Sequence, residues 1–255
     1  VKAKGVYNFS GESYLDIFVA RVANDGDILN PNLFDRMPSS KFHKSTPHYA
    51  PELDKIFYIL SNTEDGKLAL DAKDKNALAI GMVYENGFFA FLLKDLSTSF
   101  YYPFYDDSSN RLYFAANFED GYGGTDIYYV STNNGQIMSE PVNLGPRINS
   151  PGNEIAPFIQ DNSLYFSSDV FYGLGGMDIY KANARQDKSF SIPINLGAGI
   201  NTEKNEFGFI IRGDENLGFS GYFSSDREGG KGSDAMYGFA IREYLGPKTF
   251  TLGGE

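Results

Sequence analysis

One phrase recurs along this chain and restricts its fold more than any other feature. Residues 111–130 read RLYFAANFEDGYGGTDIYYV, residues 163–182 read SLYFSSDVFYGLGGMDIYKA, and residues 217–238 read LGFSGYFSSDREGGKGSDAMYG. Each couples two aromatic, strand-like runs through a glycine-rich turn and opens the second run with an aspartate. Those aspartates, Asp126, Asp178 and Asp234, stand 52 and 56 residues apart, and Asp16 holds the matching place in LDIFVARV. A second landmark is a proline: Pro51 in YAPELDK, Pro103 in YYPFYDD and Pro157 in IAPFIQD. A third is VNLGPRINSPGNE at 142–154, echoed by INLGAGINTEKNE at 194–206. Three landmarks that keep one order and one period mark a propeller, a solenoid or an array.

The repeat can be built from its residues. APFIQDNSLYFSSD supplies an inner strand (156–159), a turn at Asp161 and Asn162, and a second strand (164–167), so neighbouring strands are antiparallel. MDIYKA then gives a third strand and FSIPINLG a fourth. Four antiparallel strands in a repeat of about 50 residues are the blade of a β-propeller. The expected fold is therefore all-β. Dividing 255 residues by the period gives five blades, with six as the alternative. The segment 67–84, KLALDAKDKNALAIGMVY, is the one stretch with helical ambiguity, and it reads as strand. The first blade, opening VYNFSGESYLDIFVARV, lacks residues for an inner strand, so the tail GPKTFTLGG is expected to close the ring. One propeller domain spans 1–255, and a chain that begins with Val is read as a mature form or a domain excised from a longer protein.

Chemistry finds little purchase in this composition. Without cysteine there is no thiol catalysis, no thiolate metal site and no disulfide. His43 and His48 are the only histidines, and neither lies in a hydrolase or zinc-protease motif. The turn Asn24–Asp27, NDGD, resembles the start of a calcium loop but has no glutamate at the twelfth position, so a plain turn is expected and no metal. The net charge of −11 argues against nucleic acid. The repeated Asp16, Asp126, Asp178 and Asp234 are expected to tie turns, because a catalytic group is one asymmetric cluster and not one residue per blade. Matching the starts of the inner strands sets His48, Phe100, Glu154 and Glu206 at equivalent places, the candidate rim for partner binding. Tyr122 and Tyr172, on glycine-rich loops, are the next candidates.

The phrases LYFSSD, GLGGMDIYKA, VNLGPRINS and GNE resemble the WD-like, PD-type repeats of TolB-like propellers, especially those of OmpA-family proteins of the Bacteroidetes. The resemblance covers three repeats well. In that group the propeller commonly sits between a tetratricopeptide region and an OmpA-like peptidoglycan-binding domain, as in PorE-like components of the type IX secretion system. It implies a non-catalytic interaction and scaffold domain, not an enzyme, in the periplasm and associated with the outer membrane. Partners would be envelope proteins or peptide segments, with peptidoglycan reached only through a neighbouring domain, no nucleic acid, no direct membrane insertion and no cofactor. The alternative is a carbohydrate-active or peptidase-type propeller.

Overall fold

Short antiparallel strands joined by tight turns account for the whole architecture. The computed structural model describes residues 11, 13–84, 87–187, 189–214, 218–230 and 233–241. Among them no helix forms, and 67–84 is strand at both ends with a turn between. A hairpin of β1 (Phe18–Val22) and β2 (Ile28–Leu33) comes first. The first blade is β3 (Lys44–Ala50), β4 (Lys55–Ser61), β7 (Leu78–Tyr84) and β8 (Phe89–Leu93), with the small hairpin β5 (Thr63–Glu64) and β6 (Lys67–Leu68) inserted. The second is β9 (Phe100–Asp106), β10 (Arg111–Ala116) and β11 (Asp126–Asn133), flanked by β12 (Gln136–Ile137) and β13 (Val142–Asn143). The third is β14 (Glu154–Gln160), β15 (Ser163–Ser168), β16 (Asp178–Asn183) and β17 (Ile194–Asn195). The fourth is β18 (Glu206–Asp214), β19 (Gly218–Ser225) and β20 (Ala235–Ile241).

The described residues thus form a β-propeller of four blades, and the expectation of five or six is not reached. The hairpin β1–β2 bridges the two ends of this arc. Ile17, just before it, packs with Tyr58 and Val83 of the first blade, and Tyr222 of the fourth donates its hydroxyl to the Gly26 carbonyl at the hairpin tip, 2.8 Å away. The tail KTFTLGG and the opening VYNF lie outside the described residues.

Every inner strand carries the same irregularity. The ladders skip two residues at Thr46–Pro47, Tyr102–Pro103, Ala156–Pro157 and Gly208–Phe209. The first residue of each pair has positive φ, 42°, 49°, 54° and 67° in turn. A β-bulge is where a strand tolerates proline, since the bulged position owes the ladder no N–H. This register corrects the sequence alignment: Pro47, and not Pro51, is the counterpart of Pro103 and Pro157. The starts of the inner strands shift with it, so Lys44 matches Phe100, Glu154 and Glu206, and His48 matches Phe104, Phe158 and Ile210.

The core lies between blades. Phe57 and Met82 of the first blade pack on Phe100, Leu112 and Phe114 of the second. Ile127 meets Leu164 and Phe166 across the next junction, and Tyr165 with Ile179 meets Phe209 and Phe223 across the last. Because β4 and β15 are covered on both faces, they are buried at every residue, which explains their continuous runs KIFYILS and SLYFSS.

The bulge supplies a stability prediction. A β-carbon in the left-handed region costs about 1–2 kcal/mol, which offsets the roughly 0.5–1 kcal/mol of chain entropy and the roughly 0.8 kcal/mol of buried methyl that Ala156→Gly loses, so the thermal midpoint should stay within about 2 °C. A fall of about 4 °C or more, the uncompensated loss, would show that the bulge is unstrained.

Candidate functional site

Where the hairpin tip meets the fourth blade, the chain encloses a cleft of about 1210 Å³. One wall is the β1–β2 turn, with Asp25 and Asp27; the other is the face of β19 and β20, with Tyr222 and Tyr237, and Asp234 at its edge. The turn forms because Gly26 takes φ +94° and Asp25 Oδ1 accepts the Asp27 amide at 3.1 Å. Thus NDGD is a hairpin turn, as its composition suggested, and one oxygen of Asp25 is occupied in tying it. No group of three histidines or carboxylates suited to a metal occurs among the described residues. Burial, and then the Asp234 charge, push the Tyr102 phenol of β9 up. Carboxylates on opposite walls beside aromatic rings can bind a polyhydroxylated ligand and exchange protons with it. Sequence reading missed this grouping because about 200 residues separate the turn from Asp234.

The repeated aspartates divide. Asp126 and Asp178 are fully buried; Oδ2 of Asp126 accepts the Tyr122 amide at 2.6 Å and the Asn143 side chain at 2.8 Å. Oδ2 of Asp178 accepts the Leu174 amide and, at 2.8 Å, the Asn195 side chain. Each carboxylate therefore fastens its glycine-rich loop to the outer strand. In the fourth blade the register pairs Ser225 with Ala235, where the third pairs Ser168 with Asp178, so Asp234 falls one residue early and is exposed. Asp16 lies outside any glycine loop and sits 3.2 Å from the buried Lys44 ammonium.

The rim of partner-binding residues is not assembled. Phe100 is buried in the core, and Glu154 and Glu206 are fully enclosed. Glu154 accepts the Ser150 amide at 2.7 Å and hydroxyls of Ser150 and Ser168 at 2.6 and 2.7 Å. Glu206 does the same with Thr202 and Ser225, and adds the Arg227 guanidinium at 3.0 Å. These side chains lock the loop between blades, and nothing of them is offered to a partner. His48 packs on Phe104 with ring centroids 4.5 Å apart, and burial pushes its imidazole down to about 4. Tyr122 and Tyr172 are exposed on the loops between second and third strands. His43 accepts the Leu15 amide at 3.1 Å, so neither histidine is set up as a peptidase base.

No family model matches the chain, and no curated protein matches it. Solved structures of similar shape exist. A protein of unknown function from Dyadobacter fermentans aligns at 13% identity with TM-score 0.51, over 92% of this chain and 66% of that one. The endo-arabinase of Bacteroides thetaiotaomicron aligns at 12% identity and TM-score 0.46, over 88% of this chain and 84% of its own. The alpha-L-arabinofuranosidase of Lactobacillus brevis aligns at 11% and 0.46, over 89% and 83%. The likeness is one of fold. The expectation of a non-catalytic scaffold, and of no enzyme, is nevertheless corrected: the rim on which partner capture rested is buried.

Two predictions follow from this geometry. Asp178→Ala leaves a buried amide and the Asn195 side chain without their acceptor and should cost about 2–3 kcal/mol, whereas the exposed Asp234→Ala should stay within about 0.5 kcal/mol. Urea unfolding of both variants checks this, and equal losses would restore Asp234 to the structural set. His48 is held neutral in the fold but gains a proton when unfolded. Its contribution, up to about 3 kcal/mol, is complete above the unfolded value of about 6.5 and lost as pH falls toward the folded one. Thermal melts of His48→Phe should lack that acid-side decline.

Proposed function

We propose that the chain is a carbohydrate-active propeller that holds a neutral saccharide in the cleft between the hairpin tip and the fourth blade. The observation that carries this reading is the meeting of Asp27 and Asp234 from opposite walls beside Tyr222 in one cleft of about 1210 Å³. Aromatic faces suit the apolar faces of sugar rings, and a pair of carboxylates is the machinery that glycoside hydrolysis needs, one to protonate the leaving oxygen and one to act on the opposite side. The acidic lining disfavours anionic polymers. In this reading β1–β2 belongs to a fifth blade, supported by its contacts with the first and fourth, and the repeat phrases support a place in the bacterial envelope.

The test is release of reducing sugar from neutral polysaccharides, beginning with arabinose-containing polymers because two of the neighbours are an endo-arabinase and an alpha-L-arabinofuranosidase. Asp27→Asn and Asp234→Asn should each lower the rate by about 100-fold or more while the melting temperature stays unchanged. Retention of full activity in both variants would remove the cleft from the chemistry.

A further inference from the structure

The three junctions leading into the second, third and fourth blades solve one packing problem in three ways. In the second and fourth blades the residue that opens the inner strand faces the side chain two places after the second strand of the same blade. In the second blade these are Phe100 and Phe118, ring centroids 5.8 Å apart. In the fourth they are Glu206 and Arg227, an ion pair at 3.0 Å, with the guanidinium 4.8 Å from the Phe223 ring and 5.0 Å from the Tyr237 ring. The third blade combines halves of both. Its inner strand opens with Glu154, but the position that holds Phe118 or Arg227 elsewhere is the exposed Val170, and the rings of Phe166 and Tyr180 are covered by Phe171, with centroids 6.2 and 5.4 Å away.

Glu154 is therefore a fully buried carboxyl with three donors and, among the described residues, no paired cation. The charges that face it have its own sign. Asp126 approaches from β11, with Oδ1 buried and lacking a partner among the described residues. Asp169, after β15, holds Asn153 by two bonds of 2.7 Å immediately before Glu154. The nearby phenols of Tyr128 and Tyr180 stay neutral, since burial pushes both up, and Arg147 turns away to Ser189. Desolvating an unpaired carboxylate is costly, and the cheaper state is the neutral acid, which can itself donate to a serine oxygen.

We propose that a proton takes at Glu154 the place that Arg227 takes at Glu206, making the junction between the second and third blades a proton-operated joint. Burial first, opposed by the serine bonds, pushes the Glu154 carboxyl up. The sign follows: with the folded value raised above the unfolded one, the stabilisation is present at low pH and lost as pH rises through the folded value. What loosens is local. The ionised carboxyl repels Asp126, whose Oδ2 holds the Tyr122 amide, so the strain falls on the contact where the Glu154 amide donates to Thr125 at 2.7 Å.

Thermal melts of the protein and of Glu154→Gln from about pH 5 to about pH 8 test the joint, because Gln keeps the shape without titrating. The wild-type midpoint should fall relative to that of the variant by about 2–4 °C on going to the alkaline end. His48 is common to both proteins and cancels in the difference. Val170→Arg, at the register position of Arg227, imports the fourth-blade solution and should flatten the wild-type dependence in the same way. Should that variant fail to fold, a carboxyl carbon NMR titration of wild-type Glu154 decides alone: protonation persisting above the ordinary glutamate range supports the joint. Parallel melting curves for wild type and Glu154→Gln, or an ordinary glutamate titration, overturn it.

Discussion

A propeller blade is stable only against its neighbours, and in this chain the link between neighbours is a buried polar latch at the start of each of the last two inner strands. Glu154 and Glu206 each receive a backbone amide and two hydroxyls, one from the loop arriving from the previous blade and one from the second strand of their own. The glutamate amide meanwhile donates to a carbonyl of the previous blade, Thr125 or Met177. A single residue thereby fixes loop, strand and neighbour, and each of its bonds is strong because water is excluded. Asn149 and Asn201 repeat the device one turn earlier, each clasping the backbone of Ile127 or Ile179 through both faces of its amide.

Around these latches the apolar material is mostly aromatic. Rings run from His48 through Phe104 to Phe158, then through Tyr165 and Phe209 to Phe239, with neighbouring centroids 4.5 to 6.1 Å apart. Broad flat side chains suit wedge-shaped gaps between twisted sheets better than branched aliphatics, since they fill depth with few rotatable bonds. Glycine serves the close approaches. Gly123 and Gly175 lie where any β-carbon would strike the backbone of the following loop, 150–152 or 202–204. The GG pairs of the repeat are thus spacers that let one blade touch the next.

The candidate site lies where this regularity breaks. Between the fourth blade and the first, the described lining of the cleft comes from the β1–β2 hairpin on one side and from β19 and β20 on the other. Asp234 departs from its repeat in the same place, exchanging a buried structural berth for an exposed one on the cleft wall. A repeat position released from its structural task is the sort of position at which a binding or reacting group can stand.

The sequence by itself determined the all-β class, the repeat, the hairpin turn at Asp161–Asn162 and the polar, turn-like character of NDGD. These are local matters of alternation, turn chemistry and period, written within a few residues of one another. It did not determine the register, because a two-residue bulge in every inner strand let Pro51 imitate Pro47, and it misassigned the rim, because polar residues such as Glu154 and Glu206 read as surface until their partners are known. Those partners lie on other strands: Ser168 and Ser225 across the hairpin, Arg227 after it. Only the tertiary structure decided that these carboxylates are buried and that Asp27 and Asp234 share a cleft, because burial and long-range proximity are properties of how blades pack and are not encoded in any single window of the chain.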